Sequence, residues 1–252
     1  MKYLHKYLFV MLCILVCLLC THVSYAGWGD FLKSIQKTLE GKGSRLSQDK
    51  ISKGLKEALK LGAVNAVKKV SIFNGYYANN EIRIPLPDSV LKVEKLLRTI
   101  GYGSKLDAFE MSMNRAAEKA APAADDLFLE TIKGITFNDA SNILKGSDNE
   151  ATIYLKDKTW DKLLDMFKPI VHQAMGSVGV TRQYQEIESK VNNLPFGGKS
   201  LNLIKIDEYV TEKALDGLFL MLEKEEQKIR HDPAARVTDL LKEVFGSKLI
   251  EK

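Results

Sequence analysis

Apolar residues return at three- and four-residue steps through most of this chain. The first such set, Ile51, Leu55, Ala58, Leu59, Val64, Val67 and Val70, predicts one side of a long helix beginning near Ser47. Gly62 weakens that helix without ending it. The pattern breaks at "FNGYYANN", where Asn74-Gly75 takes positive φ at little cost.

The next stretch, "EIRIPLPD", is unlike the rest. Pro85 and Pro87 lack backbone donors and push Ile84 and Leu86 toward extended geometry, which rules out helix. A central strand is excluded too, because prolines at alternate positions strip one ladder edge of donors. The pattern predicts an extended strap with Ile82, Ile84 and Leu86 on one face against helices and Arg83 on the other.

Asp88 is expected to cap a helix carrying Val90, Val93, Leu96, Leu97 and Ile100, ended by Gly101 and Gly103. A further helix runs from about Lys105 to Pro122, and Pro122 suits the first turn of the next, with Leu127, Leu129, Ile132 and Ile135. "TFNDASNILKG" holds a cap, a short helix and a terminal glycine. A similar unit is expected in "SDNEATIYLKDKT", and a longer helix from Thr159 that Pro169 should kink or break. After the seam "NNLPFGGKS", Asp207 opens the strongest helix, with Val210, Ala214, Leu218, Met221, Leu222 and Ile229 facing a core. Asp232 is a cap with Pro233 at the first helical position, and Gly246 closes a last helix. No segment alternates long enough for a sheet, so the fold class is all-α: a single-domain multi-helix bundle of about ten helices with one short proline-containing strap.

The N-terminus changes the picture of where this bundle works. Lys2 and Lys6 precede the apolar run Leu8 to Cys20, and Ser24 and Ala26 flank Tyr25 as a cleavage site would require. A run this short falls below the roughly 20 residues that span a bilayer, so a signal peptide cleaved after Ala26 is expected, with an uncleaved anchor as the alternative. Leu19 before Cys20 is bulkier than lipoprotein processing favours. The reading is therefore a leader at 1–26, a basic segment at 27–46 and a helical domain at 47–252, exported to the periplasm. Cys13, Cys17 and Cys20 all fall in the leader, so the mature chain has no disulfide and is stabilised by its core alone.

The whole-chain charge of +5 falls to +3 when Lys2 and Lys6 leave. That balance, spread among acids, does not predict nucleic-acid binding. The lysine-rich start, Lys33 to Lys60, fits either weak contact with anionic phospholipid or a solvated helix face.

Catalytic sets are scarce. His172 and His231 lie on different helices with no cysteine to join them, so no metal is expected. No nucleophile elbow, phosphate loop or dinucleotide fingerprint occurs, and no cofactor is expected. Glu110, Glu118, Glu212 and Asp216 are the acids from which a glycosidase-like pair would be drawn, against the commoner reading of solvated or ion-paired side chains. Two polar sets stand beside core stripes: Asn114, Arg115 and Glu118, and Glu212, Lys213 and Asp216. If partly buried, they form an interhelical network or converge on a polar ligand.

The segments "IRIPLP", "SMNRAAEKAAP", "ITFNDASNIL" and "VTEKALDGLFLMLEKEEQKIRHDPAARVTDLLKEVFG" together resemble the bacterial family catalogued as domain of unknown function 4197, over about Leu46 to Gly246. The resemblance implies an exported helical protein of Gram-negative bacteria and carries no established activity. Two functions stand as expectations. The first is a non-catalytic binding or interaction module for an amphipathic small molecule or an envelope protein, with Arg83, Asn114, Arg115, Lys213, Asp216 and Arg236 as its candidate binding residues. The alternative is a carboxylate-dependent hydrolase of an envelope polymer, with Glu118 or Glu212 as its acid.

Overall fold

The computed structural model describes residues 48–177, 180–192 and 205–246. The expected leader, the basic segment 27–46 and nearly all of the "NNLPFGGKS" seam lie outside the described residues.

The long first helix, α1, spans Gln48–Ser71, and Gly62 sits inside it as the pattern predicts. Leu55, Ala58, Leu59, Val67 and Val70 are buried. Val64 is not: it is 40% exposed. The buried seam runs through Ala63, Ala66, Val67 and Val70, and at about 100° per residue Val64 is turned out of it.

The strap leads into α2 (Asp88–Leu97), a wide turn at Arg98–Tyr102 and α3 (Gly103–Ala120). Asp88 does not cap α2. The N-cap is Pro87, whose extended backbone opens the helix without a side-chain bond, and Asp88 contributes first-turn charge instead. Leu96 and Ile100, expected in the stripe, are exposed, and Val90 and Leu97 carry the burial.

Pro122 lies in a single 3-10 turn, Ala121–Ala123, that joins α3 to α4 (Ala124–Lys133). Thr136 then starts α5 (Phe137–Lys145) with a full capping box: its hydroxyl accepts from Asp139 N, while the Asp139 carboxylate accepts from Thr136 N.

One helix, α6 (Glu150–Ser177), replaces the two that the pattern separates at Thr159. Thr159 is fully buried and donates its hydroxyl to the Leu155 carbonyl at 2.6 Å, so the helix absorbs the polar group without opening a cap there. The helix also continues through Pro169 without a break. Then come α7 (Val180–Asn192), α8 (Ile206–His231), a 3-10 turn at Pro233–Ala235 and α9 (Asp239–Phe245). No strand occurs among the described residues, and the fold is an all-α bundle.

Its centre is α8, which packs on α6, α1 and α3. Every residue of its predicted stripe is buried, and Leu215, Gly217 and Phe219 are buried beside it, which makes the helix apolar around most of its circumference. Phe219 lies 5.7 Å edge-on from Phe128 and 5.9 Å from Trp160, closing α8 against α4 and α6.

Candidate functional site

The chain between α1 and α2 is held by polar side chains of α3 and α8. Asn74 sits at φ 67, and a Cβ on Gly75 would stand 2.7 Å from the Lys69 carbonyl oxygen, so the backbone reverses tightly against the end of α1. Asn79 continues the turn, its carbonyl accepting from Arg83 N at 2.8 Å.

The reversal presents two consecutive N–H groups, Tyr76 and Tyr77, to one carboxylate oxygen. Both donate to Glu118 Oε1, at 3.1 and 3.2 Å, and Arg115 Nη1 donates to Glu118 Oε2 at 2.6 Å. Both oxygens of a nearly buried acid are thus engaged. Tyr76 itself is fully buried and donates its hydroxyl to the Ala214 carbonyl of α8 at 2.6 Å. Gly217 makes room for its ring: a Cβ there would lie 2.7 Å from Tyr76 Cε1. Burial, with the nearby Glu118 charge adding to it, pushes the Tyr76 hydroxyl far above the ordinary tyrosine range.

The strap has no neighbouring strand, yet the buried amide of Ile84 is matched. Asn114 Oδ1 accepts from Ile84 N at 2.8 Å, and Asn114 Nδ2 donates to Ile84 O at 2.9 Å and to Glu110 O at 2.8 Å. Tyr209 of α8 donates to the Pro85 carbonyl at 3.0 Å. Burial, with Asp88 and Glu110 adding negative charge, pushes its hydroxyl up to about 12. Ile82, Ile84 and Leu86 are buried as the alternation predicts, while Arg83 emerges to pair with Glu110 at 2.8 Å.

What this frame displays is a row of rings and guanidinium groups. Arg83 lies 4.4 Å from the centroid of Tyr77, and Arg115 lies 5.8 Å from that ring and 3.7 Å from the Phe73 ring. Arg115 also donates to Asn74 Oδ1 at 2.6 Å. Phe73 is 76% exposed and Ile72 57% exposed, so the row ends in an apolar tip. Of the candidate binding residues, Arg83, Asn114 and Arg115 therefore belong to one assembly.

The others do not join it. Lys213 and Asp216 are exposed, not partly buried as the sequence suggested: Asp216 pairs loosely with Lys213 at 4.0 Å and Lys156 at 3.6 Å. Glu212, Lys213 and Asp216 are exposed at three- and four-residue spacing, so they share the solvent side of α8. Arg236 donates to the carbonyls of Ile229 (3.0 Å) and Arg230 (2.6 Å), so it closes the end of α8.

A second polar centre went unread in the sequence. Glu226 accepts from Ala151 N, Thr152 N and Thr152 Oγ1 at 3.0, 2.8 and 2.8 Å, which caps the start of α6. Arg230 donates to Glu226 Oε1 at 3.0 and 2.8 Å and to the Ile143 carbonyl at the end of α5. The pair thus sets an anion on one helix's positive end and a cation on another's negative end. Its signal was position: Glu226 falls four residues after Leu222 and three before Ile229, inside the apolar stripe.

Among the described residues, no group of three or more His, Cys, Asp or Glu side chains gathers to hold a metal. His172 pairs with Asp207 at 2.5 Å and His231 with Asp148 at 3.1 Å. Glu212 lines a groove of about 230 Å³ between α6 and α8 with Asp165, Lys168 and Glu208. No helix of the described residues is long and apolar enough to cross a membrane.

These features define an all-helical protein with a pinned proline strap and buried ion pairs that tie helix ends and turns together. The chain belongs to the family described as protein of unknown function (DUF4197), whose model matches residues 45–246. No curated protein and no solved structure matches it.

Proposed function

We propose that this is an exported, periplasmic, non-catalytic binding module, and that its recognition face is the row Arg83, Tyr77, Arg115 and Phe73. The leader-like N-terminus supports export. The observation that carries the binding reading is the mutual stacking: two cations flank one tyrosine ring, and one of them also backs an exposed phenylalanine. Such a surface offers guanidinium donors to an anionic group and an aromatic face to its apolar part, which is what an amphipathic ligand or an envelope-protein side chain requires. Aromatic and arginine side chains are also the types enriched where binding energy concentrates.

The hydrolase alternative loses one of its two acids, because Glu118 has both oxygens engaged. It would have to work from Glu212.

Photo-crosslinking tests the reading. A benzophenone side chain at position 73, in cells exporting the protein, is expected to yield adducts with lipid or an envelope protein that weaken when Arg115 is replaced by Met. The same probe at Val237, exposed near the far end of α8, serves as the control. Equal adducts at both positions, or none at 73, would refute the proposal.

A further inference from the structure

The recognition face continues along α1, and that continuation selects an occupant. We infer that the outer side of α1 and the Ile72–Phe73 tip dock on the surface of an anionic lipid bilayer; this rests on the binding-module reading above and names the source of its amphipathic ligand.

Three observations converge. Lys60, Val64 and Lys68 are exposed at four-residue spacing and so lie along one line of the helix, which leads to the tip. From Lys60 to Ile72 that line covers about 18 Å at about 1.5 Å per residue. Cations therefore alternate with an aliphatic side chain along one line of the helix and end in two exposed apolar residues. That arrangement suits lysines at headgroup level and rings at the acyl boundary; a single protein pocket would take Phe73 and leave the line of lysines unused.

The charge near the tip is available to a ligand. Among the described residues, Lys60 and Lys68 have no ion-pair partner, and Lys119, one turn beyond Arg115 on α3, donates to the Ser177 hydroxyl at 3.3 Å and has no carboxylate partner. The nearby acids Glu118 and Glu225 are turned into the protein: Glu118 holds Arg115 and the Tyr76 and Tyr77 amides, and Glu225 holds Lys69, Lys228 and Asn65. The acids of α1 itself are Asp49, which is exposed and paired with Lys53 at the start of the helix, and the half-buried Glu57, three residues before Lys60.

Finally, the tip is already built. Glu118 fixes the two amides behind it, and Arg115 both bonds Asn74 and lies under Phe73, so docking needs little ordering of the loop.

The test is partition of the exported chain, starting at Gly27, between buffer and sedimented vesicles of phosphatidylcholine alone or mixed with phosphatidylglycerol. Binding is expected to require the anionic lipid and to fall at high salt. Lys60→Glu with Lys68→Glu should weaken it about tenfold or more, and Phe73→Ser about tenfold. All three side chains are exposed, so unchanged circular dichroism will show that folding is intact. The site-specific readout is Phe73→Trp in a Trp28→Phe, Trp160→Phe background, whose emission should shift to the blue and be quenched by brominated lipid only in anionic vesicles.

Equal partition to both lipids, insensitivity to the three substitutions, or an unshifted tryptophan would overturn the inference. If vesicles fail while the benzophenone at 73 still captures an envelope protein in an Arg115-dependent way, the lipid surface is wrong and the binding module stands. If neither is seen, both fall.

Discussion

Asn114 holds Ile84 by both of its backbone groups, accepting from the amide at 2.8 Å and donating to the carbonyl at 2.9 Å across 30 residues of sequence. A single side-chain amide thereby serves the strap as a neighbouring strand would. Pro85 and Pro87 have no donors, and Asn114 satisfies the buried amide of Ile84, which lies between Arg83 and the first proline.

Asn114→Ala should therefore cost about 2–4 kcal/mol, since it leaves a buried donor and acceptor without partners. Asn114→Asp should cost at least as much, because it turns an acceptor toward the Ile84 and Glu110 carbonyls. Urea denaturation measures both; a loss below about 0.5 kcal/mol for Asn114→Ala would contradict this role.

Gly217 and Tyr76 should be coupled. Gly217→Ala alone places a methyl against the tyrosine ring, with an expected loss of about 1–3 kcal/mol. Combining it with Tyr76→Leu, which withdraws the ring, should cost clearly less than the two single losses added together. Strict additivity in thermal or urea melts would show that the ring is not what Gly217 accommodates.

The Glu226–Arg230 pair predicts a non-additive double-mutant cycle. Either single replacement, Glu226→Gln or Arg230→Met, should destabilise by about 3–5 kcal/mol, because each strands a buried partner. The double variant should be less unstable than additivity predicts, by about 0.5–3 kcal/mol. In Glu226→Gln, hydrogen exchange should place the first loosening at Ala151 and Thr152, because glutamine keeps one acceptor oxygen where Glu226 offers two.

Glu225 sets an acid-side dependence. Burial opposes its charge, but the hydrogen bond and charge of Lys69, with help from Lys228 and Asn65, hold its carboxyl below the ordinary glutamate range. The unfolded chain then binds this proton at higher pH than the native one, so the contribution is present above the ordinary glutamate value and is lost as pH falls through the lowered native value. Lys69, raised chiefly by its bond to Glu225, contributes fully below the ordinary lysine value and loses its share as pH rises through the raised one. The stability gap between the wild type and Glu225→Gln, followed by urea midpoints, should be widest near neutral pH and close toward acid. A gap that grows on acidification would reverse the assignment.

The helical content was legible because burial repeats with the helix period. The α8 stripe is buried at every predicted position, and the strap's alternation placed Ile82, Ile84 and Leu86 inside and Arg83 outside. Local rules failed where a longer-range partner intervened. Thr159 looks like a cap but becomes a buried helix-interior residue once α6 packs on its neighbours. Tyr76, in a stretch that reads only as turn, is fully buried because Gly217, far along the chain, leaves a notch for it.

The sequence by itself determined that this chain forms helices, where a proline-locked strap interrupts them, and that no cysteine or histidine set organises the helical region. These properties follow from periodicity, backbone restriction and residue inventory, which are local. Only the tertiary structure decided which polar residues work together: Arg83, Asn114 and Arg115 meet at the strap, Lys213 and Asp216 turn to solvent, and Arg236 closes α8. The choice depends on whether a donor and an acceptor far apart in the chain arrive within about 3 Å of each other, and that distance is set by how the helices pack.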